Sequence, residues 1–333
     1  MKKKQILLLS VCVLIILLSC SYITWNQLDP QFTCAQCHEI SPSHAQWTTS
    51  AHADIKCSEC HGTATSDGIT SFVDKANMVW VHFTNDRIQN ADIHLNERQV
   101  MDVHNRCIAC HQSEHAGWLA SGHGANYGEI FMDSVHNAVE KPYWDCLRCH
   151  GMFYDGNIND LMDLESISPA DWQLRDKQQE ELPTMPCLAC HQMHTDNPVS
   201  ERYVRLNGTS RSDPARNPRT ALYIRGEKRY LRTDMLSQPA MYEGDSLIQI
   251  ASDPNTLLCM QCHAPNAHHI VGSEDDCTVT GAHQGISCIA CHRPHSGETQ
   301  QSCMQCHPSL TDEQIKMVYE QPHTFVKVLV DNR

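Results

Sequence analysis

The sequence predicts a mainly α chain with much irregular structure, a few short helices and at most one small β-hairpin. Three observations predict it. The pentapeptide Cys-x-x-Cys-His occurs eight times in 333 residues. Mean hydropathy is −0.43 and only 6 % of residues are aromatic, which leaves little material for a large peptide core. Gly, Pro, Asn and Asp interrupt the chain too often for long regular elements.

The first element is the N-terminal one. A charged start, Met1 to Lys4, precedes an almost unbroken apolar run from Ile6 to Ile23. Two readings stay open. In the first, residues 1–25 hold a single uncleaved anchor of about 18–20 residues, long enough for the bilayer core. Lys2, Lys3 and Lys4 then stay inside, and Tyr22 and Trp25 sit at the outer interface. In the second, Leu17-Leu18-Ser19-Cys20 is a lipobox-like cleavage site with a lipid on Cys20. Both readings keep the chain on a membrane, with the motifs on the periplasmic side of a bacterial cell envelope.

The motifs follow in order: Cys34–Cys37–His38, Cys57–Cys60–His61, Cys107–Cys110–His111, Cys146–Cys149–His150, Cys187–Cys190–His191, Cys259–Cys262–His263, Cys288–Cys291–His292 and Cys303–Cys306–His307. One such pentapeptide points to covalent c-type haem. The two thiols add to the vinyl groups, and the adjacent His becomes an axial ligand of the iron. A thioredoxin-like CxxC needs no following His. Zinc pairs of motifs do not explain the His placement, and a disulfide framework would show scattered spacings. The expected cofactors are therefore eight haem c groups and their iron. Roughly 40 residues per haem cannot also build a separate core, so the fold is expected to be haem-cored. The motifs use 16 of 19 cysteines, and Cys277 is the one spare thiol beyond the leader.

Motif starts are separated by 23, 50, 39, 41, 72, 29 and 15 residues. This divides the chain into 30–125 with haems 1–3, 126–200 with haems 4–5, a haem-free insert at 201–256, 257–310 with haems 6–8, and a tail at 311–333. Helices are expected over Asp67 to His82 and Ile88 to Val103 by apolar spacing. A hairpin is expected at Thr220–Leu231, where β-prone runs flank Arg225-Gly226-Glu227. Thr311 before DEQIKMVYEQ reads as the cap of a tail helix.

Eight His belong to motifs, leaving 14 of the 22. That suffices for a second His on every iron, and bis-His ligation keeps iron six-coordinate at low potential. The expected distal ligands are His52, His104, His115, His123, His136, His194, His283 and His295, with His269 or His268 as substitute. They lie close to motifs or, for His123 and His136, between the third and fourth. His44, His82, His94 and His323 are read as surface or core residues.

The formal charge of −14 argues against nucleic acid as a partner. Residues 201–232 run the other way, with nine basic residues (Arg202, Arg205, Arg211, Arg216, Arg219, Arg225, Lys228, Arg229, Arg232) against three acidic ones. Two uses are open: a docking surface, or neutralisation of haem propionates by guanidinium groups.

Phe32 to His111 resembles the NapC/NirT/NrfH-type membrane-anchored quinol dehydrogenases. The resemblance rests on the anchor just ahead of the first motif, on CAQCHEISPSHAQWTTSAHADIKCSECH, and on the helical gap before CIACH. The later motifs resemble the wider multihaem cytochrome c family. The resemblance implies electron transfer from a membrane quinol or membrane redox partner to other cytochromes or a terminal reductase. It also gives Lys75 a place near a quinol site. The NrfH type has Met two residues after the first motif His, where this chain has Ile40. The alternative is an octahaem oxidoreductase acting on a small nitrogen or sulfur compound such as nitrite, hydroxylamine or tetrathionate. Many reductases of that kind use Cys-x-x-Cys-Lys, which is absent here.

Overall fold

The computed structural model describes residues 3–66, 68–84, 95–194, 220–243, 245–263, 283–295 and 300–314. The chain is mainly helical, with few short strands and no closed sheet. The α-helices are α1 (Lys3–Gln27), α2 (Ser41–Thr48), α3 (Cys57–His61), α4 (Ile69–Thr84), α5 (Glu97–Ile108), α6 (Gln112–Leu119), α7 (Tyr127–Phe131), α8 (Ser134–Val139), α9 (Cys146–Cys149), α10 (Ile158–Leu161), α11 (Pro254–His263) and α12 (Gln300–Cys306). Most are one or two turns long, because polar residues and glycines end them as soon as they start.

One hairpin was expected, but the described residues contain three antiparallel pairs. The expected one is β3 (Ala221–Ile224) with β4 (Arg229–Arg232), in register Ala221↔Arg232 to Ile224↔Arg229. Its turn places Lys228, not Gly226, in the left-handed region at φ 49°. The unexpected ones are β1 (Met162–Asp163) with β2 (Gln173–Leu174), and β5 (Met241–Glu243) with β6 (Ser246–Ile248). Two-residue strands leave no period-2 pattern to read, whereas Gly244-Asp245 between Met-Tyr-Glu and Ser-Leu-Ile is a turn signal that the reading passed over.

Helix α1 is 25 residues long and long and apolar enough to cross a membrane, or to act as a signal sequence. It runs unbroken through Cys20. The expected helix over 67–82 is α4, starting at Ile69. Of the stretch 88–103, residues 88–94 lie outside the described residues, and α5 starts at Glu97. There Asn96 and Gln99 exchange side-chain-to-backbone hydrogen bonds at 3.0 and 3.1 Å, which closes a capping box. Thr311 and Gln314 do the same, as expected of a tail cap, and the tail beyond 314 lies outside the described residues.

Two compact units are present. One holds residues up to Cys107 together with 192–194, and contains the first two motifs. The other holds 108–191 and the described residues from 220 onward, with motifs four to eight. The second unit has an apolar cluster of Tyr127, Phe131, Leu147, Ile158, Leu161, Met162, Trp172 and Leu174. It rests on α7, α9 and α10 and on the β1–β2 pair. Asn126 and Asn157 cap α7 and α10 through boxes with Glu129 and Asp160, which fixes the direction in which both short helices enter the cluster.

Candidate functional site

Most motifs close about one helical turn, although in the first the chain is extended at Cys37. The His amide donates to the carbonyl of the first Cys in His150→Cys146 (2.8 Å), His191→Cys187 (3.0 Å), His292→Cys288 (2.8 Å) and His307→Cys303 (2.8 Å). Residues i, i+3 and i+4 share a helix face, so both thiols and the imidazole of one motif point to one side. Gly62 and Gly151, directly after two motif histidines, have φ of +64° and +132°. A Cβ at Gly62 would collide with Ser66 and with Arg106 at 2.8 Å, and one at Gly151 would lie 2.9 Å from Leu147. These glycines let the chain leave the motif sharply. None of the described cysteines is in a disulfide.

Six of the eight motif histidines have another histidine beside them. His61 and His194 stack with ring centroids 5.9 Å apart, as do His191 and His295 at 5.9 Å. His123 meets His263 at 5.9 Å, His283 meets His307 at 6.0 Å, and His82 meets His38 at 5.4 Å. Of the charged groups around His150, His136 acts on it most strongly. Two imidazole nitrogens on opposite sides of one metal, each at about 2.0–2.1 Å, put the ring centroids about 6 Å apart. The pairs therefore fit a metal ion that would be held between two histidines.

Outer hydrogen bonds orient several of these rings. His194 Nδ1 lies 3.2 Å from the Ser43 carbonyl, and His123 donates to the Pro294 carbonyl. Each contact leaves the other ring nitrogen for a metal, as in carboxylate- or carbonyl-anchored metal histidines. His82 Nδ1 lies 2.7 Å from Glu39 Oε1, and His38 Nε2 lies 3.2 Å from the same oxygen. Burial disfavours the Glu39 charge, but the His82 hydrogen bond and the neighbouring imidazoles outweigh it and hold the carboxyl below its usual range. Its other oxygen is buried without a partner. Cys37, Glu39 and His82 place their ligand atoms within 4.8 Å of one another.

Two motif rings, His61 and His150, are held toward the neutral form, which is the form that binds metal. His61 is pushed down to about 4, first by burial and then by the positive charges of His194, Lys75 and Arg106. Burial also takes His150 to about 4, helped by His136 and His263. Both rings nonetheless keep accessible surface.

No protein-family model, curated protein or solved structure matches this chain. What the site can do rests on its own geometry.

Of the expected distal histidines, His123, His136, His194, His283 and His295 face motif histidines. His104 is buried on α5 and pushed down by burial; His115 stacks on Trp118 at 5.5 Å; His52 is half-buried ahead of α3. His269, His268, His94, His323 and Cys277 lie outside the described residues, as do Arg202 to Arg219 of the basic insert. His82 and Glu39 are the site residues that sequence reasoning missed. Their signal was present: Glu39 directly follows a motif His, and His82 closes an amphipathic helix.

Hydrogen bonds also join motifs within the second unit. Arg148 of the fourth donates to the Gln261 carbonyl of the sixth at 2.6 Å. The Cys288 amide of the seventh donates to Thr256 on α11 at 3.1 Å. Ser302 on α12 donates to the Cys291 carbonyl at 2.8 Å. The neighbours in space are thus four–six, six–seven and seven–eight.

Proposed function

We propose that this chain is an octahaem c-type cytochrome that carries electrons. It would take them from membrane quinol or a membrane redox partner and pass them to periplasmic or outer acceptors. The observation that carries the reading is the meeting of motif and distal histidines at about the separation that one shared metal requires.

In this reading each pair of motif thiols would tether one haem, and the motif His would be one ligand of its iron. His194, His136, His295, His123, His283 and His82 would supply the second ligand beside His61, His150, His191, His263, His307 and His38. When bound, the haem supplies a reversible one-electron change at iron. The protein's own part would be to hold these paired imidazoles so that little rearranges on electron transfer. The outer hydrogen bonds from Ser43, Pro294 and Glu39 fix ring orientation and ligand basicity. Arg225 and Lys228 are engaged within the protein, Arg225 with the Tyr154 and Gly156 carbonyls and Lys228 with Asp155 at 2.8 Å. The resemblance to quinol dehydrogenases puts the electron entry at the first two motifs, in the unit that also carries α1.

The test is stoichiometric. Pyridine haemochrome analysis and intact mass should give eight covalent haems per chain. Dithionite-reduced protein exposed to CO should show almost no CO-bound spectrum. A full equivalent of CO-binding high-spin haem would instead favour the octahaem oxidoreductase of small nitrogen or sulfur compounds.

A further inference from the structure

Helix α4 is built inside out. Its residues Ile69, Phe72, Val73, Val79, Trp80 and Phe83 recur at helical spacing and form one apolar stripe. All six are exposed, from 55 % at Val73 to 77 % at Phe83. Most of the opposite face is polar and turned to the protein, although Met78 on it is 48 % exposed. Ser71 is buried, and Asp74, Lys75 and His82 are half-buried. Lys75 Nζ donates to the His61 carbonyl at 3.3 Å, Asp74 pairs with Arg98, and His82 bonds to Glu39. A surface helix in water shows the reverse arrangement. A contiguous apolar stripe of this kind marks a surface that something covers.

The same unit says what covers it. Helix α1, the apolar span, belongs to that unit, and its end is fastened to the segment leading into α4. Tyr22 and Thr65 share a hydrogen bond of 2.8 Å, and Lys56 donates to Gln27 at 3.0 Å. Thr65 stands only four residues ahead of Ile69. The start of α4 is therefore held at the outer end of the span, the level at which aromatic side chains settle in a bilayer. A porphyrin is not the natural cover for the stripe, because His82, which faces the first motif, lies on the other side of the helix.

We propose that α4 lies on the membrane surface with its Ile69–Phe72–Val73–Val79–Trp80–Phe83 stripe among the lipid headgroups and upper acyl chains. It would form a second, monotopic contact beside α1, entering the bilayer by about 5–10 Å. The inference rests on membrane attachment through α1 and is independent of what the motifs bind. Its consequence is positional. The polar face of α4 carries His82 and Lys75, so the first two motifs are held at the lipid boundary in a fixed orientation.

The test uses the full-length protein in phosphatidylcholine–phosphatidylglycerol nanodiscs containing a diazirine-bearing lipid. After photolysis, labelled peptides are mapped by mass spectrometry. Label is expected on α1 and on outer-stripe residues of 69–84. A triple change of Phe72, Trp80 and Phe83 to Asp should cut labelling of that peptide at least tenfold, while labelling of α1 and the visible spectrum stay unchanged. Label on α1 alone, in the unaltered protein, would overturn the proposal in favour of a protein partner or a cofactor edge on the stripe. Absence of label on both helices would overturn it together with the membrane attachment.

Discussion

At the scale of single residues, the exchange of one charged oxygen decides how His82 behaves. Glu39 draws on the His82 Nδ1 proton, which makes the opposite nitrogen a better electron donor. Under the proposed function, Glu39→Gln should raise the midpoint potential of the first haem by a few tens of millivolts. Spectropotentiometric titration checks this, and an unchanged titration curve would remove Glu39 from the role. His194 gives a coarser test. His194→Ala removes the partner of His61 and should convert one haem to a CO-binding, high-spin form, read as one CO per chain. Sequence spacing made His194 visible because it follows a motif. His82 and Glu39 were less visible, since their pairing joins positions 43 apart that no local rule connects.

At the scale of elements, the helices and the one expected hairpin were legible where they carried a period or a cap. The apolar stripe announced α4, the Asn96–Gln99 box started α5, and the run Ala221–Arg232 folded back as its turn residues required. The β1–β2 pair was not legible, because it is held by the cluster around it and not by its own residues. Met162 and Leu174 pair across it, and both are buried among Tyr127, Leu147 and Trp172. Leu147 is fully buried and lies inside the fourth motif, so it ties that motif to the cluster. Leu147→Ala should destabilise the second unit by about 2–5 kcal/mol. Thermal melting followed in the far ultraviolet checks this, with a lowered midpoint expected and an unchanged midpoint against it. The distal pairing was only half legible for the same reason as the strands. Composition shows that enough histidines exist, but the fold decides which of them meet.

At the scale of the whole molecule, a histidine near one motif serves another. His295 follows the seventh motif yet faces His191 of the fifth, and His283 precedes the seventh yet faces His307 of the eighth. Under the proposed function, His295→Ala should open the fifth haem and leave the ligation of the seventh unchanged. Combining it with Cys187→Ala and Cys190→Ala, which remove the fifth haem, should abolish the new CO-binding signal. If the signal persists in the combined variant, the cross-pairing is wrong. The hydrogen bonds between motifs run from the fourth to the sixth, the sixth to the seventh and the seventh to the eighth, so they pass over the fifth. The partner of His61 stands at position 194, far behind it on the chain. Under the proposed function, a chain exported from its N-terminus would present the second motif for haem attachment long before its other ligand has crossed the membrane. The iron held there would stay half-dressed, open to small molecules and to oxidation, until the middle of the protein arrives. Timing of translocation, and not only the finished fold, would then govern whether the early sites are closed safely.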